Sequence, residues 1–502
     1  MARQINGHVG NFTSLTDLNS KYPPAEHAGC SANFITPYGV TFKYWSNGLS
    51  WLSSDVGSTN THVKVTLLGD SITARTTNAN NTPPQQVASA VAPWNWANAV
   101  LGAPFVFTQN LAVSGDQTKG IFSRIGSIDP SCSLVFVLAG INDILSSVAT
   151  TTIISNINSG ILALINAGKK IVISTILPNN ALTGAQVTSL LTVNAYINTL
   201  SSLYTNIVWV VDGFAALGGN TSTGATTPTN YMNSDNTHPT SAGAQAFGQH
   251  ASTKAALTAA YNASTPNFAM YEGWQQALPL YNEFRRSTNG TTGLISAGSG
   301  TIADNWRCLQ NAGTATFTVD ATQSYVVPSD FIGAATKFPV SQDSYYQSFT
   351  VSSAAANDNP RLRTVSALAA STAQDGIYAG ALFFLEFELS VTNAIGLQEV
   401  SVGGEASFVA GTSPVDQPAY GVNYVRALAG SAKDSASAYV AVPADYHVLW
   451  RTPVMRIPEN INTTTAVTFL PFVDIIFGAS GSGIIKISKP RIYLKNLDRL
   501  GM

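Results

Sequence analysis

Between residues 61 and 260 the chain alternates two apolar patterns. Short continuous runs at Val63–Leu68, Phe105–Phe107, Ser133–Ala139, Lys170–Ile176 and Ile207–Val211 are rich in β-branched residues and read as buried strands. Between them, Thr151–Ala167 and Ala185–Leu203 carry apolar residues at helical spacing, and Ser241–Leu257 reads as a further helical stretch. Strand and helix in alternation over this length predict a parallel sheet covered on both faces. After Tyr261 the helical period fades. Short β-rich runs such as Ala315–Val319, Tyr346–Val351, Leu382–Leu389, Ala466–Leu470 and Ile484–Ser488 lie between turn residues. They predict a β-sandwich, of jelly-roll type, over 301–502, joined through a Gly/Ser/Thr/Asn-rich connector at 262–300. Residues 1–60 read as a separate small module, with two short strands around the Asn47-Gly48 turn. So short a piece buries little, so it is expected to lean on neighbours or other chains.

Three of the breaks carry chemistry. Gly69 closes the first run and Asp70-Ser71 follows at once. Ligands of open α/β sheets bind outside the carboxyl ends of the strands, where a serine exposes its hydroxyl. No Gly-x-Ser-x-Gly brackets Ser71, and taken alone a helix cap explains it as well. Gly140-Ile141-Asn142-Asp143 closes the third run. The Asn142 amide can donate to a developing oxyanion, although an Asn-Asp turn is the bland alternative. Asp235-Asn236-Thr237-His238 lies in a loop, and Pro239 limits how far helix can reach back through it. There Asp235 can hold one nitrogen of the His238 imidazole while the other faces substrate, against the alternative of a capping carboxylate and a surface histidine. What favours chemistry over three unrelated caps and turns is their joint occurrence, in this order and at these breaks. Together they supply a nucleophile, an oxyanion donor, a base and its orienting acid, the parts of an acyl-transfer site.

These blocks, with Asn110-Leu111-Ala112-Val113-Ser114-Gly115 between the first two, resemble the SGNH (GDSL-type) hydrolases over residues 60–260. The resemblance implies a three-layer α/β/α domain over 61–261 with a flavodoxin-like parallel sheet. It implies Ser71 as nucleophile, His238 as base and Asp235 as its partner. The oxyanion hole would comprise the amides of Ser71 and Gly115 and the side chain of Asn142. Ester hydrolysis is then expected without metal or cofactor, with Asp70 and Asp143 in supporting hydrogen-bond roles.

Two weaker resemblances concern biology. Leu18-x-x-Lys21-Tyr22-Pro23, followed by Ser46-x-Gly48-x-x-Trp51, is similar to a module of bacteriophage tail fibres and tailspikes. Ala303-Asp304-Asn305-Trp306 and Lys489-Pro490-Arg491-Ile492-Tyr493 resemble carbohydrate-binding-like jelly rolls of phage tail proteins. They imply a homotrimeric tailspike, bound to other virion tail proteins and made in the host cytoplasm. It would act at the host surface on an acetylated capsule or O-antigen. The alternatives are a bacterial carbohydrate esterase with an appended binding domain, and a non-catalytic receptor-binding tail protein. Tyr345, Tyr346, Phe383, Phe384, Tyr424 and Trp450 are either core residues or sugar-stacking platforms.

Composition narrows the partners. Charged residues are only 10% and the formal net charge is −2, so no nucleic-acid or other polyanion-binding role follows. A hydroxyl-rich, weakly charged surface suits glycans and equally a durable structural protein. Mean hydropathy is +0.12, yet no apolar run approaches the ~20 residues of a membrane helix. The first residues lack the apolar core of a signal peptide, so export by the usual route is not expected. Cys30, Cys132 and Cys308 are odd in number and far apart, which predicts small buried apolar groups in place of disulfides. Among the histidines only His238 has a carboxylate at close spacing in a strand-end context; His62 and His250 are expected to be structural or exposed, with no zinc spacing.

Overall fold

A computed structural model describes residues 62–81 and 84–264, together with 8–12, 18, 20–23, 30–35, 41–46, 51–53, 275–276, 294–295, 298–303, 306–324, 330–332, 345–355, 358–364, 368–370, 382–407, 423–428, 445–451, 455–456 and 467–495. At the N-terminus β1 (His8–Phe12), β2 (Ser31–Ile35), β3 (Thr41–Ser46) and β4 (Trp51–Ser53) form a four-stranded sheet in that order. The predicted strand pair is β3–β4, with Trp45 opposite Leu52; its Asn47-Gly48 turn and most of the 262–300 connector lie outside the described residues.

The central domain begins with β5 (Val63–Gly69), followed by the hairpin β6 (Thr77–Asn81) and β7 (Pro84–Ala88). Then come β8 (Phe105–Asn110), β9 (Leu134–Leu138), β10 (Lys170–Ser174) and β11 (Val208–Val211). Five of these strands form one parallel sheet in the order β11-β10-β9-β5-β8. Every residue of β9 is buried, so both faces of the sheet centre are covered. Helix Thr150–Asn166 covers it through Ile153, Ile157, Ile161 and Leu164, spaced to lie on one stripe. Helix Gly184–Leu203 starts at a reciprocal capping box between Thr183 and Gln186. Among the described residues no helix is long and apolar enough to cross a membrane.

The C-terminal region is a mixed β-sheet. Its spine is the antiparallel pairing of two very long strands, Leu382–Ser407 and Val467–Lys495, from Leu382 opposite Lys495 to Ser407 opposite Thr468. The runs 466–470 and 484–488, which the pattern reads as separate strands, fall on this one bent strand from Val467 onward. Both partners bend at the same level: the register shifts around Ile395 and Ser482, and Asn393 and Ser480 adopt positive φ there. Tyr346, Phe384 and Trp450 are buried, while the side chains of Tyr345, Phe383 and Tyr424 lie outside the described residues. Cys30, Cys132 and Cys308 are buried, and none of the three is in a disulfide.

The two regions share one apolar core. Trp96 of helix Pro93–Ala99 meets Tyr446 and Trp450, each at 5.2 Å between ring centroids. Arg451 is paired with the fully buried Glu386 at 2.8 Å and donates to the Ala103 carbonyl at 3.3 Å. His62, buried at the start of β5, stands beside the same guanidinium at 3.5 Å. The β6–β7 hairpin leaves the central domain and pairs in parallel with Asn423–Leu428 of the C-terminal sheet. Nothing in the local pattern of residues 77–88 announces that partner.

Candidate active site

Three adjacent strands end in one layer. Gly69 of β5 stands opposite Leu138 of β9, so Ser71 and Asn142 emerge side by side. β8 flanks β5 on its other side, and the loop after it carries Gly115. Asp70 caps the short helix Ser71–Ala74 by accepting from the Ile72 amide at 3.0 Å, which fixes Ser71 at its first position.

The loop ahead of helix Ser241–Gln249 brings the other partners. His238 Nε2 lies 2.7 Å from Ser71 Oγ, across 167 residues of chain. Its Nδ1 lies 2.7 Å from Asp235 Oδ2. The second oxygen, Asp235 Oδ1, accepts from the amides of Thr237 and His238, each at 2.9 Å. Partial burial alone would raise the Asp235 pKa. Those two amides and the imidazole outweigh it and hold the carboxyl below its usual range. With Asp235 ionised, Nδ1 carries the proton and Nε2 is free to accept one from Ser71.

Asparagines hold the loop. Asn180 donates its amide to the Asn236 carbonyl at 3.1 Å, Asn179 reaches Thr237 Oγ1 at 2.9 Å, and Asn233 donates to the His238 and Pro239 carbonyls at 2.8 and 3.1 Å. Asn236 itself sits at φ +64°. Asn179 and Asn180 follow β10, so a fourth strand end supports the imidazole.

Asn142 Nδ2 donates to the Asp116 carbonyl at 2.9 Å. One amide hydrogen is thereby fixed and the other remains to donate. Gly115 adopts φ +82°, with open space where a Cβ would stand, so its conformation and not crowding demands glycine. Gly140 has both constraints: φ is +117°, and a Cβ would lie 2.7 Å from Ile176 Cδ1.

Asp143 accepts from the Thr118 amide and hydroxyl at 2.8 and 2.7 Å, tying the segment after β9 to the one after β8. Its pKa is raised because burial outweighs those bonds. Asp70 is buried completely, and its Oδ2 has no partner among the described residues. Burial, opposed by the Ile72 amide and reinforced by Asp143 and Asp116, pushes its pKa up to about 7. Among the described residues no three His, Cys, Asp or Glu side chains cluster as a metal site.

Residues 67–246 match the GDSL-like Lipase/Acylhydrolase family. This segment is a GDSL-type hydrolase domain. Solved structures similar in part include a putative acylhydrolase from Bacteroides fragilis, at 21% identity over 40% of this chain and 86% of that one, with a TM-score of 0.30. A GDSL-like lipase from Bacteroides thetaiotaomicron is 18% identical over 40% and 87% of the two chains, TM-score 0.30. A lipolytic protein of the G-D-S-L family from Veillonella parvula is 18% identical over 37% and 94%, TM-score 0.30. No curated protein matches the chain.

Sequence reasoning passed over several residues that shape the hydrolase domain's site. Asn179, Asn180 and Asn233 carry only the general turn signal of asparagine. Asp116 and Arg124 form an ion pair beside the Gly115 loop, with no local motif to mark it. His250, outside the site, caps helix Ala251–Ala263 by accepting from Ser252, and so splits the stretch read as one helix.

Proposed function

We propose that the hydrolase domain is a serine esterase that removes O-acetyl groups from a bacterial surface polysaccharide, as part of a phage tailspike or tail fibre. The observation that carries the chemistry is the unbroken link Asp235–His238–Ser71, 2.7 Å at each step. As Ser71 Oγ attacks the acyl carbon, His238 Nε2 takes its proton. The oxyanion of the tetrahedral intermediate is held by the amides of Ser71 and Gly115 and the free hydrogen of the Asn142 amide. The imidazolium returns the proton to the departing sugar hydroxyl, leaving acyl-Ser71. Water, deprotonated by the same imidazole, then releases acetate. Asp235 stays ionised throughout and fixes the tautomer.

The family match supports ester hydrolysis. The polysaccharide and virion parts of the reading rest on the motifs in residues 1–60 and 301–502 and on the weakly charged, hydroxyl-rich composition. On this reading the chain assembles as a homotrimer with other tail proteins and acts at the host surface. The test is acetate release from a panel of acetylated capsules and O-antigens, wild type beside Ser71→Ala. Wild type is expected to release acetate from at least one, and Ser71→Ala to lose about 10⁴ in turnover. Cleavage of glycosidic bonds without acetate release overturns the reading.

A further inference from the structure

We propose that Arg124 is a positioning residue for the oxyanion site: one guanidinium clamps together two of the three segments that furnish its donors and reaches the third, at Asn142, through Asp116. The inference rests on the esterase reading above. Arg124 lies after the helix Thr118–Ser123, with a side chain about one-fifth exposed. Its Nε donates to the Leu111 carbonyl at 2.7 Å, at the start of the loop that carries Gly115. One terminal nitrogen pairs with the Asp116 carboxylate at the end of that loop and donates to the Gly120 carbonyl at 3.0 Å. The other reaches the Gly69 carbonyl at 3.4 Å, two residues before Ser71. Asp116 in turn receives the Asn142 amide on its own carbonyl.

The loop needs such a clamp. Val113 and Ser114 are exposed, and Gly115 is in a left-handed conformation that its surroundings do not impose by contact. The loop's backbone is tied at Leu111 to Leu67, at Val113 to Gly69 and at Asp116 to Val113. The guanidinium adds bonds at both ends of the loop and on the nucleophile strand at once. A planar fork with five donors can do this, whereas an ammonium replaces one bond, not four. The clamp touches no reacting atom. It acts by holding preorganised donors where charge develops, and such donors are each worth about 10²–10³ in rate.

The test compares Arg124→Lys and Arg124→Gln with wild type on a short-chain acyl ester. Active sites are counted by titration with a reactive organophosphonate. The expected result is a fall in kcat of about 10- to 100-fold per titrated site, with KM within about twofold, because the loss falls on transition-state donors. A double-mutant cycle with Asn142→Ala separates positioning from general destabilisation. If Arg124 works through the donor set, Arg124→Lys costs much less in the Asn142→Ala background than alone. Arg124→Lys keeps a cation opposite Asp116, so the cycle stands even if Arg124→Gln fails to fold. Unchanged kcat per site in Arg124→Lys overturns the proposal, as does full additivity with Asn142→Ala. Failure of the esterase reading looks different: wild type and Ser71→Ala would then hydrolyse the ester alike.

Discussion

Trp96 and Trp450 meet edge to face, 5.2 Å between centroids, where the hydrolase domain joins the C-terminal sheet. Both rings are buried, and the Trp96 indole donates to the Ala90 carbonyl at 2.6 Å. Arg451 next to Trp450 adds polar bonds to the same junction. Trp450→Ala is therefore expected to destabilise the hydrolase domain as well as the sheet, by about 3–5 kcal/mol. Thermal or urea unfolding checks it. Two separate transitions, with the hydrolase one unmoved, would show that the shared core does not couple the regions.

Asp235→Asn tests the tautomer argument. An asparagine can present a donor to Nδ1 and put the imidazole proton on the wrong nitrogen. The expected loss is about 10²–10⁴ in kcat, with little change in melting temperature, since the Asp235 side chain is 44% exposed. Near-wild-type kcat in this variant would mean that Asp235 does not orient His238.

The buried Asp70 predicts an unusual pH dependence of stability. Its folded pKa of about 7 lies above the unfolded value near 3.9, so in that window only the folded state keeps the proton. The contribution is complete below about pH 4 and is lost as pH rises through 7, an effect on the order of a few kcal/mol. Asp143, also shifted upward by burial, adds in the same direction. Asp70→Asn keeps an oxygen for the Ile72 amide and removes the titration. Relative to wild type, the variant is expected to gain stability steadily from pH 4.5 to 7.5 in urea denaturation. A constant difference across that range would exclude the shift.

Gly115→Ala isolates backbone conformation. The new methyl meets nothing, so any penalty comes from φ +82°, about 1–2 kcal/mol for an L-residue. The loop is expected to relieve that strain by moving its amide, lowering kcat about tenfold with the fold intact. Equal kcat would show that the loop keeps its shape without glycine.

The strands of the central sheet are legible because each carries a short apolar run. Val63–Leu68 became Val63–Gly69, and Ser133–Ala139 became Leu134–Leu138. The pattern runs one helical stretch through Ser241–Leu257 because histidine is an uncommon breaker. Only the capping bond of its side chain to Ser252 reveals the break at His250. In the C-terminal region, two runs of one strand looked separate because the bend between them is filled by Gly478, Ser480, Gly481 and Gly483. Those residues read as a turn until the partner strand bends with them.

The sequence alone determined the five strands of the parallel sheet, and which residue types sit at the breaks, because burial period and turn chemistry act over a few residues. It also ordered serine, asparagine and histidine blocks along the chain. Only the tertiary structure decided that His238 Nε2 stands at bonding distance from Ser71, that Arg124 ties the Gly69 strand to the loop after β8, and that β6–β7 joins the distant sheet. Those meetings depend on strand order and on backbone carbonyls. Every residue type offers the same carbonyl, so no pattern of side chains can encode which one a guanidinium will find.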